Sequence, residues 1–141
     1  MKLSTRTRYG LRALVELAAQ NGKGPVIARS IAENQDISKK YLDNIFTSLR
    51  LAGLVRTVHG ATGGYLLAHP PESITVANVI MALEGEISPV DCIDHPDLCN
   101  RSSECVTRPV WEELRDAMLA VLERHTIAEL AQEYRDKQDL A

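Results

Sequence analysis

Residues 37–68, ISKKYLDNIFTSLRLAGLVRTVHGATGGYLLA, contain one amphipathic segment followed by two short apolar runs around a glycine-rich turn. Ser38 is a favourable N-cap, and apolar residues then recur at helical spacing over residues 39–52, where Gly53 ends the pattern. Residues 54–59 and 65–68 have the length and composition of β-strands on either side of the turn. The stretch therefore predicts a helix followed by a two-stranded hairpin.

A short helix is predicted just before this stretch, over residues 26–35, with a tight turn at residues 36–38. Two short helices joined by a tight turn form a helix-turn-helix, and the hairpin that follows makes it a winged helix. Further helices are predicted over residues 4–21 and 73–83, the latter capped by Ser73 or Thr75. The predicted fold class is mainly α, with a winged helix-turn-helix, a small two-stranded wing and a long C-terminal helix.

Side chains outside the apolar stripe of residues 39–52 are cationic, amide and hydroxyl groups, which suit base edges and phosphates. An ordinary solvated helix face would have a similar composition, and the wing is what favours DNA. We expect Asp43 to accept from cytosine N4 or to repel the wrong sequence. The predicted DNA contacts are Ser38, Lys39, Lys40, Tyr41, Asp43, Asn44 and Ser48 on the helix, with Arg56, His59, Thr62 and Gly63 on the wing.

Charge is unevenly distributed along the 141 residues, although the net value is only −3. Residues 1–70 carry ten Lys and Arg against four Asp and Glu, a formal charge of +6, whereas residues 71–141 carry −9. This asymmetry predicts a half that faces a polyanion and a half with another role. Three regions are predicted: a DNA-binding domain over 1–84, a cysteine loop over 85–108, and a dimerisation helix with a last helix over 109–141.

The region after the loop predicts a long helix over residues 110–124, with Pro109 in its first turn. Its apolar stripe is broader than one small domain can cover, which predicts a helix-to-helix contact between two copies. Thr126 and Glu129 have capping-box spacing and begin a last helix to about residue 135, beyond which we expect fraying. The predicted dimer interface consists of Trp111, Leu114, Met118, Val121 and Leu122.

All three cysteines, Cys92, Cys99 and Cys105, lie in the polar stretch 91–108, which predicts an exposed loop. The chain shows neither a membrane-length apolar run nor a signal-peptide pattern, so we expect a cytoplasmic protein without membrane contact. In a reducing cytosol, clustered cysteines indicate a metal, a cluster or redox sensing rather than disulfides. The spacing C-x6-C-x5-C disfavours a zinc ribbon or a thioredoxin-like site.

Three thiolates leave one coordination position of a tetrahedral metal or a cluster without a ligand. Soft thiolates suit iron–sulfur clusters and zinc, and an iron–sulfur cluster is favoured here, with zinc or a redox thiol switch as alternatives. The neighbouring candidates for the fourth ligand are His95, Asp91, Asp94, Asp97 and Glu104.

The order of motifs resembles the IscR/NsrR/CymR family of winged-helix transcription regulators over nearly the whole chain. The resemblance rests on MKLSTRTRYGLRALVELA, ISKKYLDNIFTSLRLAGLV, HGATGGYLL, three cysteines ending in CVTRPVWEEL, and TIAELA. It implies a homodimer that binds a palindromic promoter site in double-stranded DNA. It also implies that the three cysteines bind an iron–sulfur cluster that reports iron–sulfur status, nitric oxide or redox state.

Two features depart from the family pattern. The first cysteine spacing is one residue longer than in the best-known cluster regulators, and Arg108 stands where such regulators have a histidine. Because a protonated Arg cannot ligate iron, the fourth ligand is expected to be His95, a carboxylate or a residue of another segment or subunit. The number of irons, two or four, stays open for the same reason.

The predicted function is a DNA-binding transcription regulator, a repressor, that senses through the cluster and is not an enzyme. No nucleophile, base and orienting group occur together in a catalytic pattern. The alternatives are a zinc- or thiol-based redox regulator on the same scaffold and a cluster carrier that does not bind DNA. Because the loop joins the helix ending near Leu83 to the dimer helix, its state is expected to change the spacing of two reader helices.

Overall fold

A computed structural model describes residues 2–140 of the chain. Within these residues, seven α-helices and one antiparallel two-stranded sheet are present, which confirms the predicted mainly α winged fold class. The elements in chain order are α1 (Thr5–Ala19), α2 (Ala28–Gln35), α3 (Lys39–Leu51), β1 (Val55–Val58), β2 (Gly64–Leu67), α4 (Val76–Glu84), α5 (Asp91–Asp94), α6 (Arg108–Arg124) and α7 (Ile127–Asp139).

Local capping explains where α2 ends and where α3 and α4 begin. Ser38 accepts a hydrogen bond from the backbone N–H of Tyr41 and so caps α3, as predicted. Asp36 ends α2 in the left-handed conformation, with φ 56°, which Asp tolerates better than most residues. Thr75 rather than Ser73 caps α4, through a reciprocal capping box with Asn78.

The wing is attached to the chain before α2 as well as to α3. β1 and β2 pair from Val55 with Leu67 to Val58 with Gly64. Val26 pairs with Tyr65 through two backbone hydrogen bonds of 2.9 and 2.8 Å, so α2 starts at Ala28 and not at Val26 as predicted. A Cβ at Gly64 would overlap the carbonyl oxygen of Val26, and glycine therefore allows this pairing.

The core is largely aliphatic and lies between α1, α2, α3 and the base of the wing. Phe46, at 0% exposure, packs edge-to-face on Tyr65 with ring centroids 4.7 Å apart. Ile127 and Ala131 of α7 are buried in the same core, and α7 packs along α1. α7 continues to Asp139, so the predicted helix end near residue 135 and fraying beyond it are wrong.

Residues 85–107, called the cysteine segment below, connect α4 to α6. The prediction of a plain loop is wrong in part, because α5 and a 3-10 turn at Pro96–Leu98 form there and Ile93 is buried. α6 starts at Arg108 with Pro109 in its first turn. Across the part of the chain that the structure describes, no helix has both the length and the apolar character needed to cross a membrane.

Candidate functional site

The N-terminal turn of α3 places the predicted lysines in solvent. Lys39 and Lys40 are both exposed, next to the N-cap Ser38. Lys39 Nζ forms an ion pair of 2.7 Å with Asp43 Oδ2 four residues later, and such exposed pairs contribute little to stability. A helix N-terminus has a partial positive charge and free N–H groups. This end of α3 is therefore suited to a phosphate.

Asp43 connects α3 to the wing. Its Oδ1 accepts a hydrogen bond of 2.9 Å from the hydroxyl of Tyr65 on β2. Burial, reinforced by the hydrogen bond to Asp43, raises the pKa of Tyr65 to about 12. Tyr41 is half-buried and packs edge-to-face on Tyr9, with centroids 6.4 Å apart. Both carboxylate oxygens of Asp43 thus have partners within the protein.

Asn44 and Ser48, one turn apart on α3, both contact Arg6 of α1. Arg6 of α1 donates from Nε to Asn44 Oδ1 at 3.4 Å and from Nη2 to Ser48 Oγ. Asn44 remains exposed, whereas Ser48 is half-buried. The basic first turn of α1 was visible in the sequence, but nothing there indicated which groups Arg6 would contact.

The wing residues differ in exposure. Arg56, on β1, and His59 and Thr62, in the turn, are exposed. Gly63 is half-buried, and a Cβ there would overlap the carbonyl oxygen of Val58. Gly63 therefore meets a steric requirement of the hairpin turn, and the three exposed side chains are the ones available to a partner.

The three cysteines are half-exposed, form no disulfide with one another, and lie at different places in the cysteine segment. Cys92 lies on α5, Cys99 follows the 3-10 turn, and Cys105 lies just before α6. Hydrogen bonds from Thr107, with a smaller effect of the Arg108 charge, lower the pKa of the Cys105 thiol. Within residues 2–140, no three His, Cys, Asp or Glu side chains lie close enough together to hold a metal ion.

Arg108 holds α5 against the start of α6. Its Nη1 and Nη2 donate to the carbonyl oxygens of Cys92 and Ile93 at 2.7 and 3.1 Å, and its Nε donates to Glu112 at 2.9 Å. Arg115 adds an ion pair with Asp94 at 3.4 Å. The sequence identified Arg108 only as a lost ligand, because two of its acceptors are backbone carbonyls 15 and 16 residues earlier in the chain.

His95, the predicted replacement ligand, lies close to an acid at the start of the cysteine segment. Its Nε2 lies 3.2 Å from Glu86 Oε2, and both side chains are exposed. The structure therefore pairs His95 with Glu86, and the assignment of His95 as a ligand stays a prediction.

The face of α6 with the predicted dimer contacts is only partly covered by the rest of the chain. Among the described residues of α6 none is buried, and Val121 is 45% exposed. Met118, Val121 and Leu122 line an open, mostly apolar groove of ≈ 490 Å³ shared with α4 and the residues before α1. The other predicted contacts, Trp111 and Leu114, are half-exposed.

Comparison with known proteins agrees with this architecture. Residues 3–133 match the Rrf2 family, described as an iron-dependent transcriptional regulator. The chain is 43% identical to the protein rrf2 of Nitratidesulfovibrio vulgaris over 92% of its length and 87% of that protein. It is 41% identical to the transcriptional regulator CymR of Bacillus subtilis, over 93% of this chain and 90% of CymR.

Solved structures are similar at the same level. The structure of CymR, the global cysteine regulator of B. subtilis, superposes with a TM-score of 0.79 at 39% identity, covering 94% of this chain and 98% of that one. The structure of T. potens IscR superposes with a TM-score of 0.78 at 37% identity, covering 98% and 91%. These relatives are transcriptional regulators and not enzymes, in agreement with the prediction. The chain belongs to the Rrf2 family of transcriptional regulators.

Proposed function

We propose that this regulator binds double-stranded promoter DNA with α3 in the major groove and the wing beside it. Support comes from the exposed N-terminal turn of α3 and from exposed Arg56, His59 and Thr62 on the wing. The net positive charge of residues 1–70 adds non-specific attraction to the phosphate backbone. In this proposal Lys39 and Lys40 contact phosphates, and Asn44 forms hydrogen bonds with base edges.

The proposed active form is a homodimer joined through α6, on a palindromic site. A half-exposed apolar face on a 17-residue helix is the supporting observation, since a lone chain would leave much of that face in water. Two-fold symmetry in the protein requires two matching half-sites in the DNA. Sedimentation of wild type and of a Met118→Glu variant tests this, and a variant that stays dimeric would contradict the assigned interface.

The cysteine segment is the proposed sensor, and an iron–sulfur cluster is its proposed cofactor. The donor chemistry fits, because three half-exposed thiols lie within one segment and one of them has a lowered pKa. Cys92, Cys99 and Cys105 would hold the cluster, with His95 as the candidate fourth ligand. The segment must rearrange for this, since its ligand side chains are not grouped in the structure described over residues 2–140.

When bound, a cluster supplies a group that reacts with oxygen, oxidants or nitric oxide. The protein contributes the segment that holds it, tied to α6 by Arg108 and joined directly to α4. The proposal rests chiefly on this placement of three thiols between the reader and the proposed dimer helix. Loss or gain of the cofactor would then change the conformation of the segment, and this change would alter repression of the promoter.

The decisive experiment is purification without oxygen, followed by an absorption spectrum and counts of iron and sulfide per chain. We expect a brown protein with thiolate-to-iron bands, and no such bands in Cys92→Ser, Cys99→Ser or Cys105→Ser variants. His95→Ala tests the fourth ligand in the same way. A colourless wild-type protein without sulfide would contradict the cluster.

A second candidate is a thiol-based redox sensor on the same scaffold. The lowered pKa of Cys105 favours it, because the thiolate is the form that reacts with oxidants. This candidate predicts a colourless protein in which peroxide treatment changes DNA binding and a Cys105→Ser variant does not respond. Zinc would also leave the protein colourless, and metal analysis distinguishes it.

DNA binding itself is tested by gel shifts with the protein's own promoter region at several salt concentrations. Affinity that falls steeply with salt supports phosphate contacts. Lys39→Ala should weaken binding to all sequences, whereas Asn44→Ala should weaken binding to the cognate site more. Binding that is absent or independent of salt would favour a cluster carrier that does not act on DNA.

A further inference from the structure

Arg6, in the first turn of α1, links the reading helix to the end of α4. Its guanidinium donates to Asn44 Oδ1 and Ser48 Oγ on α3, and its Nη1 donates to the carbonyl oxygen of Leu83 at 3.2 Å. Arg6 is half-buried, unlike Arg8 two residues later, which is exposed. One side chain therefore contacts two predicted base-reading residues and the helix that leads into the cysteine segment.

The chemistry of the end of α4 explains why a cation lies there. The last carbonyls of a helix have no partner within the helix, and the C-terminus has a partial negative charge. Leu83 lies in the last turn of α4, which ends at Glu84. A guanidinium has donors at fixed angles and can satisfy this carbonyl and two side-chain acceptors together.

A second hydrogen bond joins the same two helix ends. Glu84 Oε1 accepts from the backbone N–H of Ser4, the N-cap of α1, at 2.6 Å. Hydrogen bonds from Ser4 lower the pKa of Glu84. The carboxylate of Glu84 thus lies at the N-terminus of α1, and the guanidinium of Arg6 lies at the C-terminus of α4. Each charge is at the helix end that favours it.

The three helices also pack without intervening space at this junction. A Cβ on Gly10 of α1 would overlap Leu83 Cδ1 and would press on Ile45 Cγ2. Gly10 therefore allows α4 and α3 to contact α1 closely at one point. In so close a packing, a displacement of the end of α4 cannot be absorbed locally and must reach α1 or α3.

We propose that Arg6 is a positioning residue that couples the cysteine segment to base reading by Asn44 and Ser48. The inference rests on the proposed function, in which the cysteine segment senses and α3 reads DNA. The segment begins at Gly85, directly after the turn that carries Leu83 and Glu84. A change in the segment that shifts the carbonyl of Leu83 alters the geometry of Arg6 and hence the presentation of both α3 side chains.

A direct phosphate contact is the other role that an Arg near the reader suggests. The geometry opposes it, because Nε, Nη1 and Nη2 of Arg6 all donate to acceptors within the protein. The guanidinium of Arg8 donates only to Thr5 Oγ1, at 3.3 Å, among the described contacts and remains exposed. Arg8 is therefore the matched control, with the same charge in the same turn.

The test compares Arg6→Gln with Arg8→Gln and wild type in two states, reduced without oxygen and treated with peroxide. Either sensor chemistry responds to this treatment. Dissociation constants are measured for a duplex of the protein's own promoter and for a scrambled duplex of equal composition. For Arg6→Gln we expect the preference for the promoter to fall about 5–30-fold and the ratio between states to approach one.

Arg8→Gln should keep both ratios, whatever it does to overall affinity. Glu84→Ala, which leaves Arg6 unchanged but removes the contact with Ser4, should reduce the ratio between states in the same direction. Circular dichroism and thermal unfolding check that each variant folds. If Arg6→Gln does not fold, Glu84→Ala still tests the coupling.

Three outcomes would overturn the inference. A uniform loss on both duplexes, with the slope of log affinity against log salt reduced by about 1, would make Arg6 a phosphate contact. If Arg6→Gln keeps the wild-type ratio of dissociation constants between the two states, the coupling is rejected and the proposed sensing function still stands. A wild-type ratio of one would instead reject the proposed sensing function, and the coupling with it.

Discussion

The reading helix α3 and the cysteine segment are held in place by different interactions. α3 buries Leu42, Ile45, Phe46 and Leu49, each at 0% exposure, in the main core. The cysteine segment buries only Ile93 among its described residues and is otherwise tied down by hydrogen bonds from Arg108 to backbone carbonyls.

This difference has an energetic consequence. Burial of a large apolar side chain contributes about 1.5–3 kcal/mol, whereas a single hydrogen bond contributes about 0.5–1.5 kcal/mol net. Elements with few buried contacts open most easily and are the ones that move in regulation. The packing of α3 is thus the firmer of the two and the cysteine segment should open more easily, as the proposed division between reading and sensing requires.

Removal of a core side chain from the reader should have the largest effect. Phe46→Ala should lower the free energy of unfolding by about 3–5 kcal/mol, because Phe46 is fully buried against Tyr65. Val106→Ala, at a side chain of the cysteine segment that is 89% exposed, should change it by less than about 0.5 kcal/mol. Denaturant unfolding measures both, and equal losses would contradict the contrast between the two regions.

Removal of a buried polar contact between α1 and α2 should have the next largest effect. Glu16, 1% exposed, accepts from Asn34 Nδ2 at 2.5 Å and from Gln35 Nε2 at 2.7 Å, which joins α1 to α2. Glu16→Ala leaves the buried amide of Gln35 without its acceptor and should cost about 1–3 kcal/mol in denaturant unfolding. Glu33→Ala, at an exposed position of α2, is the control, and a similar cost there would exclude the buried contact as the cause.

Loss of the Arg108 contacts should act locally. Arg108→Gln should make opening of the cysteine segment easier by about 1–2 kcal/mol and leave global unfolding nearly unchanged. Hydrogen exchange of residues 91–98 and limited proteolysis measure the opening. Arg101→Gln, exposed in the same segment, is the control. Unchanged exchange in Arg108→Gln would mean that the Arg108 contacts do not hold α5.

The hydrogen bond between the wing and α3 should have the smallest effect. Tyr65→Phe should cost about 1 kcal/mol near neutral pH. Because the pKa of Tyr65 is raised to about 12 in the folded protein from 10.0, its contribution is complete below pH 10 and is lost as pH rises through 12. Unfolding at pH 8 to 11 should therefore show a narrowing difference between wild type and variant, and a constant difference would contradict the assigned pKa.

Sequence patterns located most elements because their signals are local. The Ser38 cap and the apolar period of α3, the glycine-rich turn and the Pro109 start of α6 depend on residues close together in the chain. The errors lay where distant contacts decide. Val26 pairs with Tyr65 instead of starting a helix, and α7 continues past residue 135.

The sequence predicted which residues belong to the candidate site but not which contacts they make. The exposed lysines of α3 and the three thiols were identified from residue type and spacing. Arg6, Tyr65 and Arg108 acquire their roles through acceptors 15 to 77 positions away in the chain, and no periodic sequence pattern indicates contacts at such distances.

The sequence by itself determined the winged helix, the separation of charge between the halves and the presence of three thiols in one polar segment, because periodicity, caps and composition are local properties. Only the tertiary structure decided that Arg6 lies between α3 and α4, that Asp43 is bonded to the wing, and that Arg108 holds α5 on α6. The physical reason is that a guanidinium or a hydroxyl accepts many partners, and packing of the whole chain selects which of them comes within hydrogen-bonding distance.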